Sequence, residues 1–395
     1  GSGERRYLVI VGNPAEAREY GGFASAFGVL HADGGVLSYE PIPGVSALGN
    51  RISTDPRDLS DLPAPLPAGF PTSHVQNWTD SVDFAAIDTL ARRLGPQVTG
   101  GPVDGTLYLD PYVIASLLTL TGPVDLPAFD TTLTGANAVD FLVRDQYTFA
   151  AALPQAERSA ALDGAVAPVL QRLITGDLPD VRDLVEALDP MVDARRLAFR
   201  ADDRPLVADL LARVGLDTPL DPGDGDFLSV GHRSVDAVKT DAYIERSIDY
   251  RVDVDHTGAL RGTLSITVTN AAPVDLPEYV TGADADHDIV LSAYTRAPVV
   301  AARIDGAVSE WSTADVGELR RNAVRVTVPR GGSVEVVFDV RSQIDADDYR
   351  LTVVPNAGAT LDMLTVRANL DGSVRNVATD VLTERRVVGD TDNPE

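Results

Sequence analysis

The feature that most constrains this chain is a change of hydrophobic period along it. From Ile248 onward the apolar residues fall on every second position: Ile248, Tyr250, Val252 and Val254, then Leu264, Ile266 and Val268 after the turn His256-Thr257-Gly258. Val324, Val326 and Val328 repeat the pattern, Gly331-Gly332 turns the chain, and Val334, Val336, Phe338 and Val340 resume it. Leu351 to Val354 and Leu364 to Ala368 continue in the same style. Period two places one face of each segment in a core, and a succession of such strands predicts a β-sandwich of immunoglobulin type.

Ahead of residue 236 the pattern is mixed. Arg6 to Val11 is a short apolar β-rich run that stops at Gly12-Asn13-Pro14, which predicts a buried strand and then a loop. Phe23 to His31 and Val36 to Tyr39 flank Asp33-Gly34-Gly35, a hairpin signal. Pro41 to Phe70 is rich in Pro, Gly, Asp and Ser and reads as a long irregular loop. Asp83 to Leu94 has helical spacing and ends at Gly95-Pro96. Gly105 to Leu109 reads as a strand, with Asp110-Pro111 as the cap and first residue of a helix reaching Thr121. Thr134 is placed as the cap of a helix through Tyr147, and helices are expected at Gln155 to Ile174, Asp180 to Phe199 and Pro205 to Val214. These elements predict an α/β domain over residues 1–235 and a β-sandwich domain over 236–395.

Composition narrows the function. The 59 acidic and 33 basic residues leave a formal charge of -26, which repels phosphate backbones and anionic lipid, so neither nucleic acid nor a membrane surface is expected as a partner. Cysteine is absent, which excludes disulfides, thiolate metal sites and Cys nucleophiles. Lys239 is the only lysine, a bias typical of GC-rich bacterial genomes. No run of ~20 apolar residues could cross a bilayer as a helix. The Gly1-Ser2-Gly3 start resembles a cloning remnant, so a membrane anchor ahead of it is an expectation.

Two polar constellations could carry chemistry. The first runs from Asn13 to Gly22 directly after the buried strand, where open α/β sheets place their ligands. Arg18 offers a bidentate donor to phosphate or carboxylate, Asn13 and Glu16 stand beside it, and Gly21 and Gly22 would let backbone N–H groups approach an anion. The plain alternative is a structural loop in which Arg18 pairs with Glu16. The second constellation is Gln76 to Phe84. Asn77, Asp80 and Asp83 could ligate Mg²⁺ through oxygen, and Trp78 could form a platform for a sugar. The plain alternative there is a helix cap at Thr79, Asp80 or Ser81, with Asp83 favouring the positive helix end. Arg51, Arg57 and Asp58 in the long loop could contact an anion, or be solvated. The run Asp284 to Asp288 lacks the glycine and terminal Glu of a calcium loop and reads as an acidic turn.

These motifs resemble a bacterial extracytoplasmic family known as domain-of-unknown-function family four-zero-one-two, common in actinobacteria. The resemblance rests on the N-x-x-E-x-R-x-x-G-G-F pattern at Asn13 to Phe23, the hairpin at Phe27 to Gly35 and the segment Asn77 to Phe84. It continues through Asp104 to Pro111, Leu118 to Val124, Gly225 to Leu228, and Lys239, Asp241 and Ile244. The first half also resembles the LytR–CpsA–Psr glycopolymer transferases. That likeness implies arginines on a diphosphate, an Asp with Mg²⁺, a cell-wall glycan or glycolipid as partner, and a membrane-anchored position outside the cytoplasm.

Three functions stay open. The first is an envelope enzyme transferring a diphosphate-linked glycopolymer, with Arg18, Asp80 and Asp83 as its catalytic set and Asn13, Glu16, Gly21, Gly22, Asn77, Trp78 and Arg57 contacting substrate. The second is a non-catalytic envelope scaffold or glycan-binding protein. The third is a glycoside hydrolase using paired carboxylates.

Overall fold

The computed structural model describes residues 3–42, 48, 52, 74–175, 180–201, 211–217, 220, 222–223, 225–344, 349–370 and 372–389. The protein is mixed α/β and divides into two compact units, Gly1–Leu220 and Asp221–Glu395.

The first unit is organised by a five-stranded sheet. Its members are β1 (Arg5–Arg18), β2 (Gly21–Asp33), β3 (Val36–Ile42), β4 (Gly105–Leu109) and β7 (Leu197–Ala201), in the order β3-β2-β1-β4-β7. A small hairpin, β5 (Val124–Leu126) with β6 (Thr131–Leu133), lies outside it. β1 pairs antiparallel with β2 and parallel with β4. The stretch Leu8 to Val11 is apolar at every position because both faces of the sheet are covered. Leu8 and Ile10 enter a core with Phe27, Trp78 and the helix Phe84–Leu94. Val9 and Val11 enter a second core with the helices Pro111–Thr121 and Gln155–Thr175.

Several sequence expectations hold in this unit. The β2–β3 hairpin turns at Gly34 and Gly35, both at positive φ. Asp110 caps Pro111–Thr121 by accepting from Tyr112 and Val113; the cap of the helix Phe84–Leu94 is Asp83, which accepts from the N–H of Ala85, and not Thr79, Asp80 or Ser81. Three expectations are corrected. β1 does not stop at Val11; it runs on to Arg18 through two register shifts. The expected helix after Thr134 begins at Ala138 and contains a π-helical turn, Phe141–Asp145. The expected helix Asp180 to Phe199 ends at Asp193, and β7 follows, because the chain reverses at Arg195 in a left-handed conformation (φ 58). The residues expected to form the helix Pro205 to Val214 lie largely outside the described ones.

The second unit is a pair of sheets around one core. β8 (Asp226–Ser234), β11 (His287–Thr295), β14 (Ser312–Val316), β15 (Leu319–Val328), β17 (Arg350–Val353) and β20 (Arg386–Gly389) form one, in the order β14-β15-β11-β8-β17-β20. β9 (Ile244–Val254), β10 (Ala259–Asn270), β12 (Val299–Ile304), β13 (Ala307–Val308), β16 (Ser333–Gln343), β18 (Asp362–Leu370) and β19 (Ser373–Leu382) form the other, in the order β13-β12-β16-β10-β9-β18-β19. Ile248, Tyr250, Leu264 and Phe338 from the second sheet and Val230, Leu291, Val326 and Leu351 from the first belong to the same buried cluster. β8 is a central strand of this unit, so the division falls ahead of residue 226 rather than at 235–236. Nearly every position of β8 is buried, and a strand buried on both faces shows no alternation to betray its allegiance. No helix among the described residues is long and apolar enough to cross a membrane.

Gly22 tests the hairpin that carries the first polar motif. A Cβ there would lie 2.0 Å from the carbonyl carbon of Asn13, a backbone atom that cannot swing aside. Gly22→Ala is therefore expected to cost about 3 kcal/mol in chemical denaturation. Gly34→Ala, which meets nothing within 4 Å, should cost about 1 kcal/mol from its positive φ.

Candidate functional site

The Asn13–Gly22 motif is not an open loop but a bulged hairpin end. Asn13 still faces Phe23 across the ladder and Ala17 faces Gly22, so Pro14, Ala15 and Glu16 form the excess on one strand. Proline, lacking an N–H, suits such a bulge. The Asn13 side chain holds it from within: Oδ1 accepts from the N–H of Ala15 at 3.0 Å. Its Nδ2 donates to the carbonyl of Leu142 at 2.7 Å. Leu142 sits in the π-helical turn, whose altered ladder leaves its carbonyl to side chains, and the amide of Gln146 donates to the same oxygen.

Arg18 is spent on the same construction. Nη2 donates to Glu16 Oε1 at 2.5 Å, Nε to Asn77 Oδ1 at 3.0 Å, and Nη1 to the carbonyl of Ala17 at 2.8 Å. The ion pair is almost completely buried, with the side chains 9% and 7% exposed. Gly21 takes the positive φ of the tight turn, and Gly22 gives room to the Asn13 backbone. The geometry thus accounts for both glycines without an anion.

The second constellation packs against this turn. Thr79 Oγ1 donates to the carbonyl of Gly22 at 2.7 Å, and its own carbonyl accepts from the N–H of Tyr20 at 3.0 Å. Asp80 Oδ1 accepts from the N–H of Glu19 at 3.3 Å. Trp78 is 0% exposed, with its ring edge-on to Phe27 at 5.8 Å, so it offers no platform to a sugar. Asn13, Glu16, Arg18, Asn77 and Asp80 are therefore gathered by the fold, each with a partner from the protein itself. Asp83 stands at its helix start. Arg51, Arg57 and Asp58 lie outside the described residues, and Arg144 pairs with Asp140 at 2.7 Å.

A different set occupies the carboxyl end of the parallel pair β1 and β4, where the strand-end rule places a ligand crevice. Asp110 follows β4 directly and is fully buried; Arg196 Nη1 donates to its Oδ2 at 2.6 Å. Burial raises the Asp110 pKa, opposed by Arg196 and the two backbone donors. The Arg196 guanidinium lies 3.6 Å over the ring of Tyr112. Its neighbour Arg195 lies 4.9 Å over the ring of Tyr20 and also donates to the carbonyl of Val82. Tyr20 itself is buried edge-on to Tyr108, whose hydroxyl donates to the Tyr20 carbonyl at 3.2 Å. Arg195 remains half-buried rather than enclosed. Sequence reasoning missed both arginines because it placed them inside a helix. They instead follow a left-handed helix end, in which the N–H of Arg196 bonds the carbonyl of Met191 and that of Arg195 bonds Val192.

In the second unit the acidic run at Asp284 contains a buried residue, His287, whose Nε2 bonds Asp241 Oδ1 at 2.7 Å. Asp226 is buried too, accepting from the hydroxyls of Tyr250 at 2.7 Å and Tyr349 at 3.2 Å. No group of three His, Asp or Glu among the described residues could hold a metal ion. Asp80 and Asp83, the residues expected to position Mg²⁺, each accept a backbone N–H.

By architecture the chain is thus an α/β unit with a buried polar hairpin lock, followed by a two-sheet unit. Residues 2–147, which carry that lock, match the family described as "Protein of unknown function (DUF4012)". The resemblance read from Asn13 to Val124 holds over this segment. No curated protein matches the chain. Among solved structures, a protein from Legionella pneumophila is 11% identical over 37% of this chain and 55% of its own, with a TM-score of 0.25. A protein from Streptococcus agalactiae is 9% identical over 54% of this chain and 74% of its own, with a TM-score of 0.31. The M1 zinc metallopeptidase of Deinococcus radiodurans is 12% identical over 37% and 38%, with a TM-score of 0.21. The chain spans about half the length of the first of these. Likenesses this slight carry neither fold nor activity to it.

Removing Arg18 should expose how the lock works. Arg18→Ala removes the guanidinium from the buried Glu16 carboxylate, and should cost about 3 kcal/mol in denaturation. Adding Glu16→Gln to that variant should restore a large part of the loss. A double-mutant cycle with no coupling between the two sites would refute the buried pair.

Proposed function

We infer that this is a non-catalytic, extracytoplasmic protein of the cell envelope that binds glycan or scaffolds glycan-handling partners. Its α/β unit is taken as LytR–CpsA–Psr-like and its sandwich as immunoglobulin-like. One observation carries the reading: Arg18, the expected anion-binding residue, has its guanidinium neutralised by Glu16 and bonded to Asn77 and Ala17 within the protein. A transferase would need that guanidinium facing a diphosphate. A glycoside hydrolase with Trp78 as its sugar platform would need that ring exposed, and it is wholly buried.

Arg195 is the cation best placed to touch an anionic glycan. It lies half-buried at the carboxyl end of β4 beside Tyr20, with the Asp110–Arg196 pair close by. A second reading, turnover of a diphosphate-linked glycan, would rest on this arginine pair and not on Arg18.

The test incubates the whole protein with Mg²⁺ and a polyprenyl-diphosphate-linked glycan, and measures binding by calorimetry alongside release of the lipid diphosphate. Binding without turnover is expected, weakened roughly tenfold by Arg195→Ala, the loss of about one charge-assisted hydrogen bond. Turnover above background that disappears in Arg195→Ala would replace the scaffold reading with the enzyme.

A further inference from the structure

The second unit contains a continuous chain of buried polar groups that the function above leaves unused. Asp241, in the turn Thr240–Tyr243, receives both imidazoles on a single oxygen: His232 Nε2 at 2.8 Å and His287 Nε2 at 2.7 Å from Oδ1. Arg246 Nη1 meets His232 Nδ1 at 2.8 Å. The same guanidinium clasps Asp362 with Nε at 2.7 Å and Nη2 at 2.9 Å. His232 and His287 stand on β8 and β11 of one sheet, and Arg246 and Asp362 on β9 and β18 of the other. The chain therefore bridges the two sheets, in a protein that has no cysteine to bridge them covalently.

Hydrogen-bond chemistry separates the two imidazoles. Arg246 has only donors, so His232 Nδ1 must accept, and Nε2 must carry the hydrogen given to Asp241. His232 is fixed as a neutral ring; a second proton would press an imidazolium against the guanidinium. His287 also gives its Nε2 hydrogen to Asp241, but its Nδ1 has no hydrogen-bond partner and is sealed from solvent. That nitrogen is where a proton can be added without losing a bond.

We propose that this chain is a proton-sensitive latch between the two sheets, in which His287 takes up and releases the proton while His232 stays neutral. The charged groups around His287 agree with this division. On its own strand Asp288 follows it, tied to Arg325 of β15 at 2.5 Å; Asp284 and Asp286 precede it. Asp236 follows β8, Lys239 lies beside the Asp241 turn, and Glu245 and Arg246 lie on β9. Burial alone would lower the pKa of His287, but the charge and hydrogen bond of Asp241, helped by Asp236 and Asp288, raise it above the ordinary imidazole value. For His232, burial and Arg246 lower it despite Asp241.

The two shifts predict a stability maximum. A raised His287 adds stability that is complete below the unfolded imidazole pKa and is lost as pH climbs through the folded value. A lowered His232 works the other way: below the unfolded value the unfolded chain binds a proton that the folded ring refuses, and stability falls. The latch should be tightest at about pH 6.5.

The test follows thermal unfolding of the whole chain from pH 5 to pH 9, together with histidine ring titration by NMR. The transition that responds to His287→Gln reports the second unit. In the wild type its midpoint should peak near about pH 6.5 and fall by ~2–4 °C toward pH 9. In His287→Gln the alkaline fall should vanish while the acid fall stays. The wild-type spectra should show one imidazole titrating above the ordinary value and one below it, a readout that survives if the variant fails to fold. An alkaline fall that persists in His287→Gln, or a His287 ring that titrates at or below the ordinary value, would overturn the latch.

Discussion

The buried Arg18–Glu16 pair is the interaction on which the polar architecture of the first unit depends. A guanidinium and a carboxylate taken out of water are costly unless every donor finds an acceptor. Here the remaining donors go to Asn77 and to the carbonyl of Ala17, so one arginine ties the end of the β1–β2 hairpin to the segment ahead of the helix Phe84–Leu94. The surrounding bonds extend the same tie. Thr79 and Tyr20 bond across the hairpin turn, Asp80 bonds Glu19, and Asn13 reaches back to the π-helical turn at Leu142. A motif rich in Asn, Glu, Arg and Gly is thereby explained by the fastening of three chain segments at one place. Conformational specificity of this kind is what buried polar networks supply when all their members are satisfied.

The same economy of charge runs through the second unit by different means. Its core is apolar and shared by both sheets, which fixes the pairing of faces but resists sliding only weakly. Directional bonds fix position. Asp226 joins β8 to Tyr250 of the facing sheet and to Tyr349, and the Asp241–His232–Arg246–Asp362 chain joins the sheets again. Burial disfavours the Asp241 carboxylate, but the two imidazoles outweigh that cost and hold its pKa well below the usual carboxylate range. The Asp226 carboxyl, which accepts from two hydroxyls and one backbone N–H, is instead pushed up by burial. Two buried aspartates thus behave oppositely because two imidazoles face one, whereas hydroxyls face the other.

Much of the fold was legible because it depends on local signals. Asp110 announced a helix start through cap chemistry, Asp33-Gly34-Gly35 announced a hairpin through φ, and period two announced the sheets from Ile248 onward. What stayed hidden depends on contacts distant in sequence. Gly12 and Pro14 look like strand terminators, yet pairing with β2 carries β1 through a bulge past both. Arg195 adopts a left-handed conformation usually left to glycine, so nothing in its neighbourhood marks the helix end. β8 gave no alternation because it is buried on both faces. His287 lies inside an acidic run that reads as solvated, and only the approach of Asp241 from another segment makes it a core residue.

The candidate site shows the same limit more sharply. Residue types alone made Arg18 a ligand for phosphate, since a lone arginine after a buried strand suits that role. Its neighbour Glu16 was equally visible and argued for self-neutralisation, and spacing could not choose between them. The choice is made by depth: at nearly full burial a guanidinium without a carboxylate would be prohibitively costly, whereas near solvent it would remain free for a ligand. In a protein of formal charge -26, an arginine that keeps contact with solvent and is not already held by a carboxylate is one that can select an anion. Arg195 meets that condition better than Arg18, because it rests on an aromatic ring and a backbone carbonyl rather than on a buried carboxylate.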